Sequence, residues 1–160
     1  MRVQQSATAA LEPPSHREGA RRARRHEMAA QLARDVPSTA QEVVQFAIDH
    51  GDSPWSVRQL AASLGVPRKT LDRRLAKAIT LTARELIGWA RLIALAIRLE
   101  SSTMSADGIA IELRFASPSA MRNLLQRYAG LTPTELRQRG GSEYLYGRLR
   151  AELRRVARAS

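Results

Sequence analysis

One interrupted pattern occurs twice in this chain, and it limits the possible folds more than any other feature. In LAASLGVPRKTLDRRLAKA, Leu60 to Ala78, a glycine breaks what otherwise reads as a single helix. Ala61 is followed at +4 by Gly65, at +5 by Val66, at +10 by Leu71 and at +14 by Leu75. About fifty residues on, Ala110 is followed at +4 by Arg114, at +5 by Phe115, at +11 by Met121 and at +15 by Leu125. The two series differ by one residue in the turn. Two helices that cross steeply through a short turn need a small residue at the crossing, here Ala61 or Ala110. The break needs a positive φ, which glycine adopts freely, and Gly65 supplies it. Val66 or Phe115 then tucks under the turn, and Leu71 with Leu75, or Met121 with Leu125, buries the second helix.

What that arrangement leaves exposed on each second helix is a reading face. In the first copy it comprises Arg68, Lys69, Thr70, Asp72 and Arg73. In the second it comprises Ser117, Pro118, Ser119, Arg122, Asn123 and Gln126. Basic and amide side chains of these kinds hydrogen-bond base edges and phosphates in a major groove. A formal net charge of +11 on 160 residues suits the same polyanionic partner, double-stranded DNA.

The rest of the chain reads as helix. Aromatic residues make up only 4%, so the core falls to Leu, Ile, Val and Ala, and no window alternates convincingly enough for a strand. Thr39 with Glu42, Ser56 with Gln59, Thr82 with Glu85 and Thr132 with Glu135 have the spacing of a capping box. Leu86, Ala90, Ile93 and Ile97 mark a long helix over about 83–101. The predicted fold is all-α, with two helix-turn-helix units at about 56–78 and 105–129, that linker helix between them, and a basic C-terminal helix over 140–160. There, Leu145, Leu149, Leu153 and Val156 form a stripe that either packs on the domain or associates with a second copy. Residues 1–37, with Pro13-Pro14 and the run ARRARRHE, read as a largely disordered basic arm, at most a short helix at 20–35.

Several chemistries are excluded or unsupported. With no cysteine there is no disulfide, thiolate nucleophile or Cys-ligated zinc, and His16, His26 and His50 lack metal-ligand spacing. No Ser-His-Asp set, catalytic carboxylate pair or phosphate-cradling glycine loop is visible, so neither catalysis nor a cofactor is expected. No apolar run approaches the ~20 residues that span a bilayer, and no apolar segment follows the paired arginines near the start. A cytoplasmic location is the expectation.

The second copy and its sequel, IAIELRFASPSAMRNLLQRYAGLTPTELR, resemble the signature of AraC/XylS-type transcriptional regulators. The matching positions are Ile109-Ala110, Phe115, Ser117, Ser119, Met121 and Gly130-Leu131-Thr132-Pro133. The resemblance covers about residues 38–139, the extent of that family's DNA-binding domain. It implies two recognition helices inserted on one face of a promoter or operator, with RNA polymerase as a further partner. It also implies a monomer or weak dimer that prefers an asymmetric site. The chain then resembles a small standalone regulator, or the DNA-binding end of a longer one with an upstream effector domain. Family members in DNA-alkylation repair need a cysteine acceptor, absent here. Two positions depart from the family. Arg114 replaces the turn glycine, at about 1–2 kcal/mol if the backbone stays left-handed. Asn123 replaces a usual basic residue, and either pairs with adenine or falls short. The first unit is therefore expected to dominate recognition. The competing expectation is a non-specific nucleic-acid-compacting protein driven by the basic arm and tail.

Overall fold

The structure, a computed structural model, describes residues 16–154, and among these there are helices but no strand. The helices are α1 (His16–Arg34), α2 (Ser38–Asp49), α3 (Val57–Ser63), α4 (Arg68–Ala78), α5 (Ala83–Glu100), α6 (Ala106–Glu112), α7 (Pro118–Ala129), α8 (Pro133–Gln138) and α9 (Ser142–Arg154).

Helix α5 is the axis of the molecule. Thr82 opens it with the expected capping box, its hydroxyl accepting from the Glu85 amide at 3.2 Å. Eighteen residues make a strut of about 27 Å at 1.5 Å per residue. It is apolar nearly all round, because α1, α2, α4, α7, α8 and α9 pack on different sides of it. Leu86, Leu92, Ile93 and Leu95 lose all solvent contact there. Gly51 lies where the chain leaving α2 presses on this strut, and a Cβ at that point would collide with the Ala90 carbonyl.

Two expectations about the segments outside the helix-turn-helix units need correction. Residues 16–34 are not a disordered arm but a 19-residue helix whose Met28, Ala29, Leu32 and Ala33 are buried, chiefly against α2. A stripe of four residues, two of them alanine, carries little hydrophobic signal, and ion pairs add to the fastening: Arg25 to Asp52 at 3.0 Å, Arg98 to Glu18 at 3.1 Å, and Arg24 to Glu143. Residues 1–15, with Pro13-Pro14, lie outside the described residues.

The second correction concerns α2. It starts two residues earlier than a Thr39–Glu42 capping box requires: Pro37 stands at the N-cap with φ −56°, and no side chain caps the end. The Pro37 carbonyl accepts from the Ala40 amide at 2.9 Å, so the fixed proline φ initiates the helix. Of the two alternatives for the C-terminal stripe, the structure takes packing on the domain. Leu145, Leu149 and Leu153 are buried, largely against α5, and Glu100 accepts from the Ser142 amide and hydroxyl at the start of α9. Val156, Arg155 and Arg158 lie outside the described residues.

Candidate nucleic-acid interface

Both predicted turns close in the same way. In the first unit Ser56 caps α3 with Gln59, and Leu60 and Ala61 turn inward. Gly65 then adopts φ +68°, its amide donates to the Ala62 carbonyl at 3.1 Å, and the Val66 amide donates to the Ala61 carbonyl at 3.1 Å. This paired closure is a Schellman motif, and it turns the chain sharply from α3 into α4. The second unit repeats it: the Arg114 amide donates to the Ile111 carbonyl at 3.0 Å and the Phe115 amide to the Ala110 carbonyl at 2.9 Å. Arg114 itself sits at φ +58°, so the turn has kept its left-handed residue without the glycine.

On α4, Leu71, Leu75 and Ala78 are buried, and Arg68, Lys69, Asp72 and Arg73 face solvent, with Thr70 half-buried. No ion pair among the described residues engages Arg68, Lys69, Arg73 or Lys77, and Lys77 is a further exposed cation one turn beyond Arg73. On α7, Met121, Leu125 and Ala129 are buried, and Ser119, Arg122, Asn123 and Gln126 are exposed, with Pro118 half-buried at the first turn. Two of these side chains already have partners. The exposed Ser117 hydroxyl accepts from the Ala120 amide at 2.9 Å as the helix cap, and Arg122 pairs with Asp107 on α6. The second face is thus less cationic than the first, although Arg127 adds an exposed charge near its end.

Sequence reasoning passed over Arg58 and Arg84. With Arg68, Trp55 and Ser56 they line an open recess of about 320 Å³ beside the first unit, and no carboxylate faces it. None of the three arginines forms an ion pair among the described residues, and the Trp55 Nε1–H is buried without an acceptor. A signal for them existed: each of Arg58 and Arg84 stands two residues after the capping hydroxyl of its helix, Ser56 and Thr82.

Two capped, Schellman-closed helix pairs on a shared strut, each presenting the polar face of its second helix, are the architecture of a double helix-turn-helix DNA-binding domain. Residues 60–139 match the family described as helix-turn-helix domain, half of the chain. The chain belongs to that AraC/XylS-type family of DNA-binding transcription regulators. No curated protein and no solved structure matches the chain. The family is one of DNA-binding regulatory domains rather than of enzymes. Among the described residues no helix is long and apolar enough to cross a membrane, and no cluster of three His, Asp or Glu could hold a metal ion.

Proposed function

We propose that this chain regulates transcription by binding one asymmetric DNA site, with α4 and α7 entering successive major grooves. The observation that carries this reading is the pair of matched turns, which leave a polar, solvent-facing stripe on the second helix of each unit. A strut of about 27 Å plus its flanking turns suits recognition helices one DNA turn apart, ~34 Å.

In this reading α4 supplies most of the sequence discrimination. Lys69 and Arg73 are unpaired cations on its exposed face and are the side chains assigned to base edges or the phosphates beside them. Arg58, Arg68 and Arg84 grip the backbone flanking the same groove, where three guanidinium groups without carboxylates suit one or two phosphates. On α7, Asn123 and Gln126 are the base-reading candidates, Ser119 and Arg122 reach backbone, and Ser117 with Pro118 serves to start the helix. Domain organisation follows the packing: α1 and α9 belong to the same body as residues 38–139. RNA polymerase is the further partner that a promoter-bound regulator of this class implies.

Selection of bound sequences from a random duplex pool tests the reading directly. The expected product is one asymmetric motif with two blocks a helical turn apart. Lys69→Ala or Arg73→Ala should cost ~1–3 kcal/mol on that motif where the side chain reads a base. Equal affinity for all duplexes at a fixed salt concentration would refute sequence-specific regulation.

A further inference from the structure

Arg91 lies on the strut, away from the reading faces, and only 6% of it is exposed. A buried guanidinium normally meets a carboxylate. This one meets backbone. Its Nη1–H donates to the Gly51 carbonyl at 2.9 Å, and its Nη2–H donates to the Leu113 carbonyl. Its central carbon lies 4.4 Å from the centroid of the Phe115 ring, a cation–π contact. Burial lowers its pKa to about 10, which still leaves it charged at neutral pH.

The three partners do not belong together in sequence. Gly51 begins the loop that follows α2 and runs through Trp55 into α3 of the first unit. Leu113 is the C-cap of α6, and Phe115 lies in the turn that leads into α7 of the second. Neither carbonyl accepts a backbone N–H among the described residues, so without Arg91 both would be left unpaired. A leucine at this place would fill the volume and pin neither carbonyl. The guanidinium's planar fork fixes direction as well as distance, which a lysine's single rotatable ammonium does not.

We propose that Arg91 is the positioning residue that locks the second unit's turn to the loop entering the first, and thereby sets the half-site spacing the protein accepts. The inference rests on the reading of both units as DNA-binding. Arg91 touches no DNA in this arrangement; it acts through Leu113 and Phe115 on the direction of α7.

The test uses the full chain on three duplexes: the selected site, the same site with one base pair inserted between its halves, and a site with the second half scrambled. The wild-type protein should lose affinity roughly tenfold on the insertion, the order of one mismatch. Arg91→Gln should bind the selected site more weakly and lose only about twofold more on the insertion, because a loosely held second unit follows either spacing. Its affinity for the first half alone should stay within about twofold of wild type, as α4 is untouched. A purely structural role would weaken all three duplexes together and leave the insertion ratio at its wild-type value, which overturns the proposal. Two milder variants cover the case of a misfolded Arg91→Gln. Arg91→Lys and Phe115→Leu should each reduce the insertion ratio, and an unchanged ratio in both overturns the proposal. If wild type shows no site preference at all, the DNA-reading assignment fails. If wild type is selective and the variants keep its ratio, only Arg91's part fails.

Discussion

Arg114 and Gly65 occupy the same place in two matched turns, at φ +58° and φ +68°, and their exchange makes a test of opposite signs. A side chain in the left-handed region costs about 1–2 kcal/mol through the contact of its Cβ with the following carbonyl. Glycine removes that cost but adds unfolded-state freedom of roughly 0.5–1 kcal/mol. The balance for Arg114→Gly is therefore a gain of about 0.5–1 kcal/mol. The rest of the structure offsets none of it: the Arg114 side chain makes no hydrogen bond or ion pair among the described residues, and its charge opposes that of Arg91. Gly65→Ala should lose a similar amount. Nothing lies within 4 Å of a Cβ built there, so the cost is purely that of the backbone. For a chain of this size about 1 kcal/mol moves Tm by roughly 2–4 °C. Thermal unfolding of the DNA-free protein, followed by circular dichroism, should show Arg114→Gly melting higher and Gly65→Ala lower. If Arg114→Gly melted lower, its side chain would hold a contact stronger than the strain, and the backbone argument would be wrong. Binding should move the other way, because Arg114 is an exposed cation at the turn of the second unit. Arg114→Ala, which keeps the strain and drops the charge, separates the two effects.

Other perturbations follow from the same geometry. Arg58→Gln with Arg84→Gln should flatten the dependence of log affinity on log salt by about 1–2, as ~0.9 counterion is released per phosphate neutralised; an unchanged slope on the selected site would place both arginines off the DNA. Asp107→Asn frees Arg122 from an exposed ion pair and removes a negative charge next to α7, so affinity should rise roughly two- to fivefold at low salt; unchanged or weaker binding would show that the pair presents Arg122 correctly. Burial raises the Asp35 pKa, but hydrogen bonds from Arg150 and Arg154 outweigh it and hold the carboxyl below its ordinary value. A carboxyl with a depressed folded pKa stabilises above the unfolded value of about 3.9, and that contribution disappears as pH falls through the folded pKa. Asp35→Asn should accordingly lower Tm at pH 7 and lose its effect in strong acid, and a Tm difference independent of pH would contradict the pairing.

Legibility in the sequence followed how local each determinant is. The turns at Gly65 and Arg114, the caps at Ser56, Thr82 and Thr132, and the stripes Leu71-Leu75 and Met121-Leu125 are set by residues within a turn or two, and a one-dimensional pattern carries them. Helix α1 was legible only as a short helix over 20–35, because its buried stripe holds just four apolar residues, Met28, Ala29, Leu32 and Ala33. What fastens it lies far off in sequence, at Asp52, Arg98 and Glu143. Thr39 misled because a hydroxyl three residues before a glutamate satisfies the capping spacing whether or not a proline has already started the helix. Arg91 could be seen as a charge inside an apolar run, but its partners are two backbone carbonyls, and backbone carbonyls leave no mark in a sequence.

The distribution of charge bears on whether the protein reads sequence or merely coats nucleic acid. The coating alternative drew its force from a basic arm and tail. In the structure Arg21, Arg24 and Arg25 of α1 are paired with Glu18, Glu143 and Asp52, while Arg150 and Arg154 of α9 share Asp35. These cations tie helices to one another, and their fields largely cancel beyond a Debye length of ~8 Å at physiological salt. Arg58, Arg68, Lys69, Arg73 and Lys77 have no such counter-charges and lie on or beside one helix. Exposed cations also lie elsewhere, at Arg22, Arg34, Arg114, Arg127 and Arg139, so the group around α4 is one concentration within a positive surface. A coating protein needs many equivalent cations over a wide surface, whereas a reader also needs them concentrated around the helix that must reach the bases, as they are on and beside α4.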